Sequence, residues 1–183
     1  MMICGNRFNI YLATPLALVL ACGCQTEAGK KKHQESTLRL HLEALPDTTG
    51  HTDSIKVLRE HPVPLTIEKS PFLTEAQVAE SKVVEGTGGF ALSIKFNRQG
   101  GWLLEQYTAA NHGKRIAVFS AFCADPGAKL NEGRWLAAPV IKKRISDGTL
   151  TFTPDATREE ADAIALGLHN VAAKLGNIED TKW

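Results

Sequence analysis

The chain has 183 residues, of which 43% are hydrophobic, and its 21 lysines and arginines nearly balance its 20 aspartates and glutamates. This length suits one modest domain and excludes two full-sized domains joined by a linker. A formal net charge of +1 excludes bulk electrostatic attraction to nucleic acid, which requires a basic excess. The hydrophobic fraction excludes wholesale disorder, because buried apolar surface can offset the entropy lost on ordering the chain.

The first residues, 1–21, have the layout of a secretory signal peptide. Arg7 precedes a long uncharged stretch that is largely apolar at its centre, as expected for a segment that enters the membrane and is then removed. The run 19–22, Val-Leu-Ala-Cys, resembles a bacterial lipobox. We therefore expect cleavage before Cys22 and attachment of a lipid to its thiol, with Cys24 as the alternative attachment site.

An uncleaved transmembrane anchor is the competing interpretation of the same segment. The uncharged stretch 8–26 approaches the roughly 20 apolar residues that span a bilayer core, but Asn9, Thr14 and Pro15 interrupt it. Both interpretations predict a domain in the bacterial cell envelope that faces the periplasm, and neither decides between the inner and the outer membrane. Residues 22–36 contain no large apolar side chain, so we expect a flexible tether there.

Alternating apolar residues predict a series of strands beyond the tether. Leucines at 38, 40 and 42 alternate with polar residues and a turn sequence follows them, so residues 37–58 are predicted to form a β-hairpin. The strand 116–119 is apolar on both faces, which predicts a central place in its sheet. Further strands are predicted at 63–67, 83–84, 90–96, 135–141 and 150–152.

Capping signals predict three helices. Thr74 and Thr157 each begin a capping box, and Asn97 is the N-cap of a second helix. We expect that helix to turn four residues toward the core: Trp102, Leu103, Tyr107 and Ala110. The last helix has one apolar face and ends at Gly176. The sequence therefore predicts an α+β domain in which about three helices pack on one face of a mostly antiparallel sheet.

Five short segments occur in an order and spacing that are similar to a known family. They are 71–74 (PFLT), 111–118 (NHGKRIAV), 137–141 (AAPVI), Ile145 with Gly148, and 157–161 (TREEA). Together they resemble the head subdomain of the first periplasmic domain of SecD, an accessory protein of the Sec translocase, over residues 62–174. The predicted organisation is a head-like domain at 62–176, a hairpin at 37–61 that resembles part of the adjoining SecD base, and a tail at 177–183.

The resemblance implies a domain without enzymatic activity, cofactor or small-molecule substrate that contacts polypeptide on the far side of the membrane. SecD also has membrane-embedded carboxylates that couple ion flow to domain movement, whereas this sequence has one apolar segment near its N-terminus. This departure from the family predicts passive binding rather than an active motor. The family's tight turn after the strand 116–119 is replaced here by a longer loop, 121–134.

Other patterns of reactive residues do not assemble into a recognisable site. The glycine-rich run 86–89 lacks the following helix and lysine of a phosphate loop, so a hairpin turn is expected. The six histidines include no pair at the i, i+4 spacing that favours a metal site. A thiol enzyme that uses Cys123 as its nucleophile is the least favoured of the functional hypotheses.

The strand at 135–141 is the predicted binding surface. Pro139 has no amide hydrogen to donate and the basic run 142–144 follows it, and both features are typical of the edge of a sheet. An exposed edge can bind an extended peptide by adding it as a further strand. We therefore expect that a polypeptide or an envelope protein binds at this edge. The predicted contact residues are Trp135, Pro139, Lys142 and Lys143. The alternative is a structural adaptor of an envelope complex with no role in export.

Overall fold

A computed structural model describes residues 33–86, 88–123 and 132–178. The predicted signal peptide, Cys22, Cys24 and the first part of the predicted tether lie outside these residues, as do positions 179–183 of the predicted tail. None of the helices in the described ranges combines the length and the apolar character needed to cross a membrane.

The described residues form nine strands, one turn of 3₁₀-helix at Glu75–Gln77 and two α-helices. The strands are β1 (Arg39–Leu42), β2 (Thr52–Val57), β3 (Val63–Glu68), β4 (Leu73–Thr74), β5 (Val78–Gly86), β6 (Gly89–Phe96), β7 (Ile116–Phe122), β8 (Glu132–Ala137) and β9 (Thr149–Phe152). The helices are α1 (Arg98–Ala110) and α2 (Arg158–Lys174).

The strands form three antiparallel sheets. Strand order is β4-β1-β7-β8 in the four-stranded sheet, β5-β6-β9 in the three-stranded sheet and β2-β3 in a separate ribbon. The predicted α+β class with mostly antiparallel sheet is confirmed, and β7 lies inside its sheet as expected. The predicted number of about three helices is too high for the described residues, which contain two α-helices.

The missing helix is the one expected after Thr74. Its capping box is present, because the Gln77 side chain accepts a hydrogen bond from the Thr74 amide at 3.0 Å and the Thr74 hydroxyl accepts from the Ala76 amide at 3.3 Å. The helix nevertheless ends after one 3₁₀ turn, and β5 begins at Val78. The residues that follow are rich in β-branched valines and carry no helical apolar stripe, so they favour a strand.

The predicted hairpin at 37–58 is wrong. Its first strand, β1, pairs with β4 and β7, whereas its second, β2, pairs with β3. The reason lies in burial: Leu38, Leu40 and Leu42 are at most 3% exposed, and a two-stranded ribbon cannot bury a row of leucines so completely. The side chains of β2 are mostly exposed or half-buried, which suits a peripheral ribbon.

The last residues of the predicted tether are packed against the domain. Gln34 and Ser36 are 5% and 1% exposed, and the Gln34 carbonyl accepts a hydrogen bond from the Asn170 side chain of α2 at 2.9 Å. A Cβ atom at Gly167 would lie 2.2 Å from the Ser36 hydroxyl, so this approach requires glycine on the helix. The tether prediction therefore fails for residues 34–36, which lack large apolar side chains but bind through main-chain groups and close contact.

Two hydrophobic clusters hold these elements together. The larger fills the space between the two main sheets and the helices, and it includes Leu40, Ile94 and Leu168, all fully buried. The smaller cluster contains Ile67 and Ala117 and lies where the β2–β3 ribbon covers the four-stranded sheet. The ribbon therefore conceals part of a sheet face near the predicted binding strand.

Helix α1 matches the predicted core-facing side in part, because Leu103 and Tyr107 pack against the large cluster as expected. Trp102, expected inside, is 61% exposed, whereas Leu104 and Thr108 are buried. The expected N-cap is confirmed, since the Asn97 side chain accepts from the Gly100 amide at 2.9 Å. The Thr108 hydroxyl donates to the Leu104 carbonyl within the helix at 2.7 Å, so a polar residue on the buried face has its hydrogen bond satisfied.

Candidate functional site

Trp135, which was predicted to line a binding edge, instead packs on the face of the four-stranded sheet. Its ring lies 5.3 Å from the His41 ring and 5.2 Å from the Phe119 ring, in edge-to-face geometry with both. The side chain is half-buried and contacts the small cluster beneath the β2–β3 ribbon. Its main contribution is therefore to packing.

His41 in this aromatic group is a buried, neutral side chain. Burial lowers its pKa below the ordinary value, and this effect outweighs a hydrogen bond that raises the pKa. That bond joins Nδ1 to the Glu68 carbonyl oxygen at 2.8 Å. Since a carbonyl can only accept, Nδ1 carries the proton and donates it. We assign His41 a structural role in joining β1 to the ribbon.

The outer edge of β8 is covered near its C-terminal end. The Asp155 amide donates to the Leu136 carbonyl at 2.7 Å, and the Arg134 side chain forms an ion pair with Glu160 at the start of α2. Asp155 also accepts from the Arg59 amide at 2.7 Å. These contacts cover the part of the predicted binding edge that lies at the end of β8.

Glu160 is held ionised in the contacts that cover the end of β8. Burial raises its pKa, but hydrogen bonds from Arg134 and the Thr157 amide, together with the positive charges of Arg134 and Arg59, outweigh burial and hold the pKa below its usual range. Glu160 also completes the capping box of α2. The same carboxylate therefore begins the helix and fixes it to β8.

An open groove lies at the other end of the four-stranded sheet, beside the start of β7. The segment 139–141 runs next to β7, with the Ile116 amide donating to the Pro139 carbonyl at 3.0 Å and the Ile141 amide donating to the Lys114 carbonyl at 2.8 Å. The chain then turns through 142–148 into β9. The groove between the segment 139–141 and β9 has a volume of about 530 Å³.

The outer edge of β9 supplies main-chain groups to this groove. The Phe96 amide donates to the Gly148 carbonyl at 2.9 Å, and the same register pairs Leu150 with Ile94 and Thr151 with Ser93. Because hydrogen-bonded and non-hydrogen-bonded pairs alternate in antiparallel sheets, Leu150 bonds to β6, whereas the N–H and C=O of Thr151 point away from β6. Thr151 also lines the groove.

A basic rim borders the groove. Lys142 and Lys143 are exposed and have no ion-pair partner among the residues that the structure describes. Arg144 differs, because its guanidinium forms an ion pair with Glu105 of α1. The His112 ring donates through Nε2 to the Lys142 carbonyl at 2.7 Å, which fixes the main chain at the start of the rim.

A second, larger hollow of about 1020 Å³ lies beside α1 and contains the exposed Trp102. Its charged lining residues carry both signs, with Lys95 and Arg98 opposed by Glu105 and Asp147. No residue of β9 lines this hollow, so the uncovered edge at Thr151 belongs to the smaller groove. We therefore treat the smaller groove as the candidate site despite its lower volume.

The structure places the predicted site residues in two groups. Pro139, Lys142 and Lys143 line the groove, whereas Trp135 does not. Val140, which is 42% exposed, belongs to the predicted binding strand 135–141, whereas Thr151 on the opposite wall was missed by the sequence prediction. The alternation of exposed threonines with buried Leu150 and Phe152 is a sequence signal for an outer strand, but it does not reveal which segment lies opposite.

The groove contains groups suited to reversible binding. Its walls combine an apolar surface at Val140 and Ile141 with free main-chain groups on β9 and two unpaired ammonium groups. Across the described ranges, no three histidine, cysteine, aspartate or glutamate side chains cluster closely enough to hold a metal ion. Cys123, the candidate thiol nucleophile, is buried and 5% exposed.

Comparisons with known proteins give a consistent result. The family model described as SecDF, P1 head subdomain, matches residues 52–173, which starts ten residues before the predicted limit and includes the β2–β3 ribbon. The protein translocase subunit SecDF of Thermus thermophilus is 32% identical over 101 residues, which are 55% of this chain and 12% of that protein. This chain therefore spans a small part of that relative.

Two solved structures share the fold. One is described as a membrane component SecDF that enhances protein export. It has a TM-score of 0.52 at 23% identity, and the match covers 78% of this chain and 66% of the solved chain. The other is SecDF in a super-membrane-facing form. It has a TM-score of 0.51 at 22% identity, and the match covers 79% of this chain and 21% of the solved chain. Because the family model matches well over half of the sequence, this chain belongs to the SecDF P1 head subdomain family.

Proposed function

We propose that the protein is a lipid-anchored module of the bacterial envelope that binds extended polypeptide during protein export, without catalysis. Membership of the SecDF head family supports a role linked to translocation. The observation that carries the proposal is the free edge of β9, where Thr151 lines a groove that combines apolar and polar surface with a basic rim. Such an edge recognises backbone rather than one sequence, which suits a binder of many exported chains.

The anchor is proposed at Cys22, with the domain facing the periplasm. The apolar leader and the lipobox-like residues before Cys22 support this assignment. We expect radiolabelled palmitate to be incorporated by the wild type and lost in Cys22→Ser, with Cys24→Ser as the matched control. Retention of label in Cys22→Ser and loss in Cys24→Ser would move the attachment site to Cys24.

Binding is proposed to be passive. The groove can hold a segment by hydrogen bonds, apolar contact and charge, and none of these requires an energy source. The domain would hold a segment that has already crossed the membrane and release it again by dissociation. Any directional effect would then come from preventing backward movement of the held chain.

In-cell photo-crosslinking tests the function. A photoreactive residue at Lys142 or Val140, both exposed at the groove, should capture a range of exported proteins while export is active. The same residue at Lys56, an exposed lysine on β2, is the control for random collisions. Capture at Lys142 no greater than at Lys56 contradicts the proposal.

The alternative is a structural adaptor that holds one envelope protein. It predicts a single crosslinked partner whose yield does not change when export is blocked. A range of captured proteins that disappears on blocking export would support polypeptide binding and exclude the adaptor.

A further inference from the structure

We propose that the groove binds its polypeptide as an added strand on β9, and that it prefers apolar segments with an adjacent acidic residue. This inference rests on the proposed polypeptide-binding function and specifies its site and ligand chemistry. It moves the site away from the edge of β8, which the Asp155 amide and the Arg134–Glu160 ion pair already cover.

The hydrogen bonds would come from one side of the groove. On β9, the Thr149 amide is already satisfied by the Asp147 carboxylate at 3.1 Å, so the Thr151 amide is the principal donor that remains on this edge. The outward carbonyls of Thr149 and Thr151 are the acceptors, since both residues occupy non-hydrogen-bonded pairs with β6. An incoming strand would thus pair with a short edge centred on Thr151.

The opposite wall offers side chains rather than hydrogen bonds. Pro139 has no amide hydrogen and its carbonyl accepts from Ile116, while the amide and carbonyl of Ile141 are bonded to Lys114 and Gly113. Val140 is exposed between them. The incoming segment would therefore be pinned by its main chain on β9 and would place apolar side chains against Val140.

Charge at the rim sets the preference. Lys142 and Lys143 have no ion-pair partner in the described part of the chain, whereas Arg144 is paired with Glu105. Asp147, the acidic residue that lines the groove, keeps its negative charge while it accepts from the Thr149 amide, but Lys142 and Lys143 outnumber it. The rim therefore presents net positive charge, which favours a carboxylate on the segment and disfavours a lysine or arginine.

The groove is also bounded in length. At one end the Asp155 amide joins the Leu136 carbonyl, so the two walls meet. At the other end the basic turn 142–148 connects the segment 139–141 to β9. Since β9 itself has four residues, the added strand would pair over a similarly short stretch, which favours weak and readily reversible binding.

Proline at position 151 tests the inference selectively. Because the Thr151 amide points away from β6, Thr151→Pro removes the outward donor and leaves the β6–β9 hydrogen bonds in place. The probe is a fluorescein-labelled peptide of alternating valine and threonine that ends in a pair of glutamates, titrated into the full chain in detergent. We expect about threefold to tenfold weaker binding to Thr151→Pro and little change with the matched control Thr151→Val.

Equal affinity of the Thr151→Pro and Thr151→Val variants would overturn the strand-addition inference, while crosslinking from Lys142 would still support the proposed function. If Thr151→Pro does not fold, amide hydrogen exchange in the wild type tests strand addition instead. Saturating peptide should slow exchange at Thr151, and an unchanged exchange rate at Thr151 overturns the inference.

Reversal of charge tests the preference for acidic segments. We expect Lys142→Glu with Lys143→Glu to weaken binding of the glutamate peptide and to strengthen binding of a peptide that ends in a pair of lysines. Lys56→Glu, remote on β2, is the control and should change neither. No difference between the two peptides on the wild type would contradict the proposed selectivity, and no binding of either would contradict strand addition altogether.

Discussion

The outer strands β8 and β9 differ in what covers their free edges. Near the end of β8, the Asp155 amide donates a hydrogen bond to the Leu136 carbonyl, and Arg134 of β8 forms an ion pair with Glu160. On β9, the outward main-chain groups of Thr151 face a groove. An uncovered strand edge is a risk for aggregation, and the two strands differ in this respect: β8 is covered near its C-terminal end, whereas β9 is uncovered at Thr151.

Among the substitutions that test this contrast, removal of the Glu160 carboxylate should lower the free energy of unfolding most. Glu160→Ala breaks the ion pair with Arg134 and the capping box of α2. We expect a loss of about 2 kcal/mol in the free energy of unfolding, measured by urea denaturation. Glu159→Ala removes a neighbouring first-turn carboxylate and is the control, with a much smaller loss expected. Equal losses would show that α2 needs only negative charge at its start.

Acid should weaken the cover of β8 through the same residue. Because the pKa of Glu160 in the folded protein lies below its unfolded value of about 4.3, its stabilising effect is present above that value and is lost as pH falls through the folded pKa. We therefore expect the difference in unfolding free energy between wild type and Glu160→Gln to shrink between neutral pH and acid. A difference that stays constant with pH would contradict a stabilising role for the ionised Glu160 carboxylate.

A smaller effect is expected at Asp155, whose carboxylate holds the Arg59 amide. Asp155→Ala keeps the main-chain bond to Leu136 but releases Arg59, so we expect a loss of about 1 kcal/mol and faster hydrogen exchange at Arg59. Asp162→Ala, which removes an exposed i, i+4 ion pair on α2, is the control. A larger loss at Asp162 would show that the cover contributes little.

Thr151 should show the smallest effect on stability. Its side chain is exposed and contacts the Ser93 hydroxyl at 3.4 Å, so Thr151→Val should change the free energy of unfolding by less than about 0.5 kcal/mol. In the free protein, the Thr151 amide should exchange with solvent much faster than that of Leu150, which bonds to β6. Equal protection of these two neighbouring amides would mean that the edge of β9 is already covered.

Local patterns predicted much of the fold. The strand β6 and the helix α2 have strong apolar periodicity, and β7 has a continuous apolar run. Helix α2 adds a capping box at Thr157 and a positive-φ glycine at 176. The capping box at Thr74 misled the prediction, because a cap starts a helix but only the apolar periodicity of the following residues extends it. Trp102 was misplaced because a large aromatic side chain is a weak guide to helix phase.

The remaining features depend on contacts between distant parts of the sequence. The pairing of β1 with β7 joins residues far apart in the chain, and the hairpin rule that favoured β2 as its partner considers only neighbours. The predicted edge included Pro139, Lys142 and Lys143, which do line the groove. The other wall, β9, could not be assigned because no sequence pattern shows which segment lies across from Val140.

The packing of residues 34–36 has a consequence for the orientation of the molecule. Thr37 bonds to Ala121 and Gln34 to Cys123, at the C-terminal end of β7, while the groove lies at the N-terminal end, near Ile116. The seven residues of β7 separate these points by about 20 Å. If a lipid at Cys22 holds the chain to a bilayer, the anchored segment therefore enters the domain at one end of β7, and the groove lies at the opposite end.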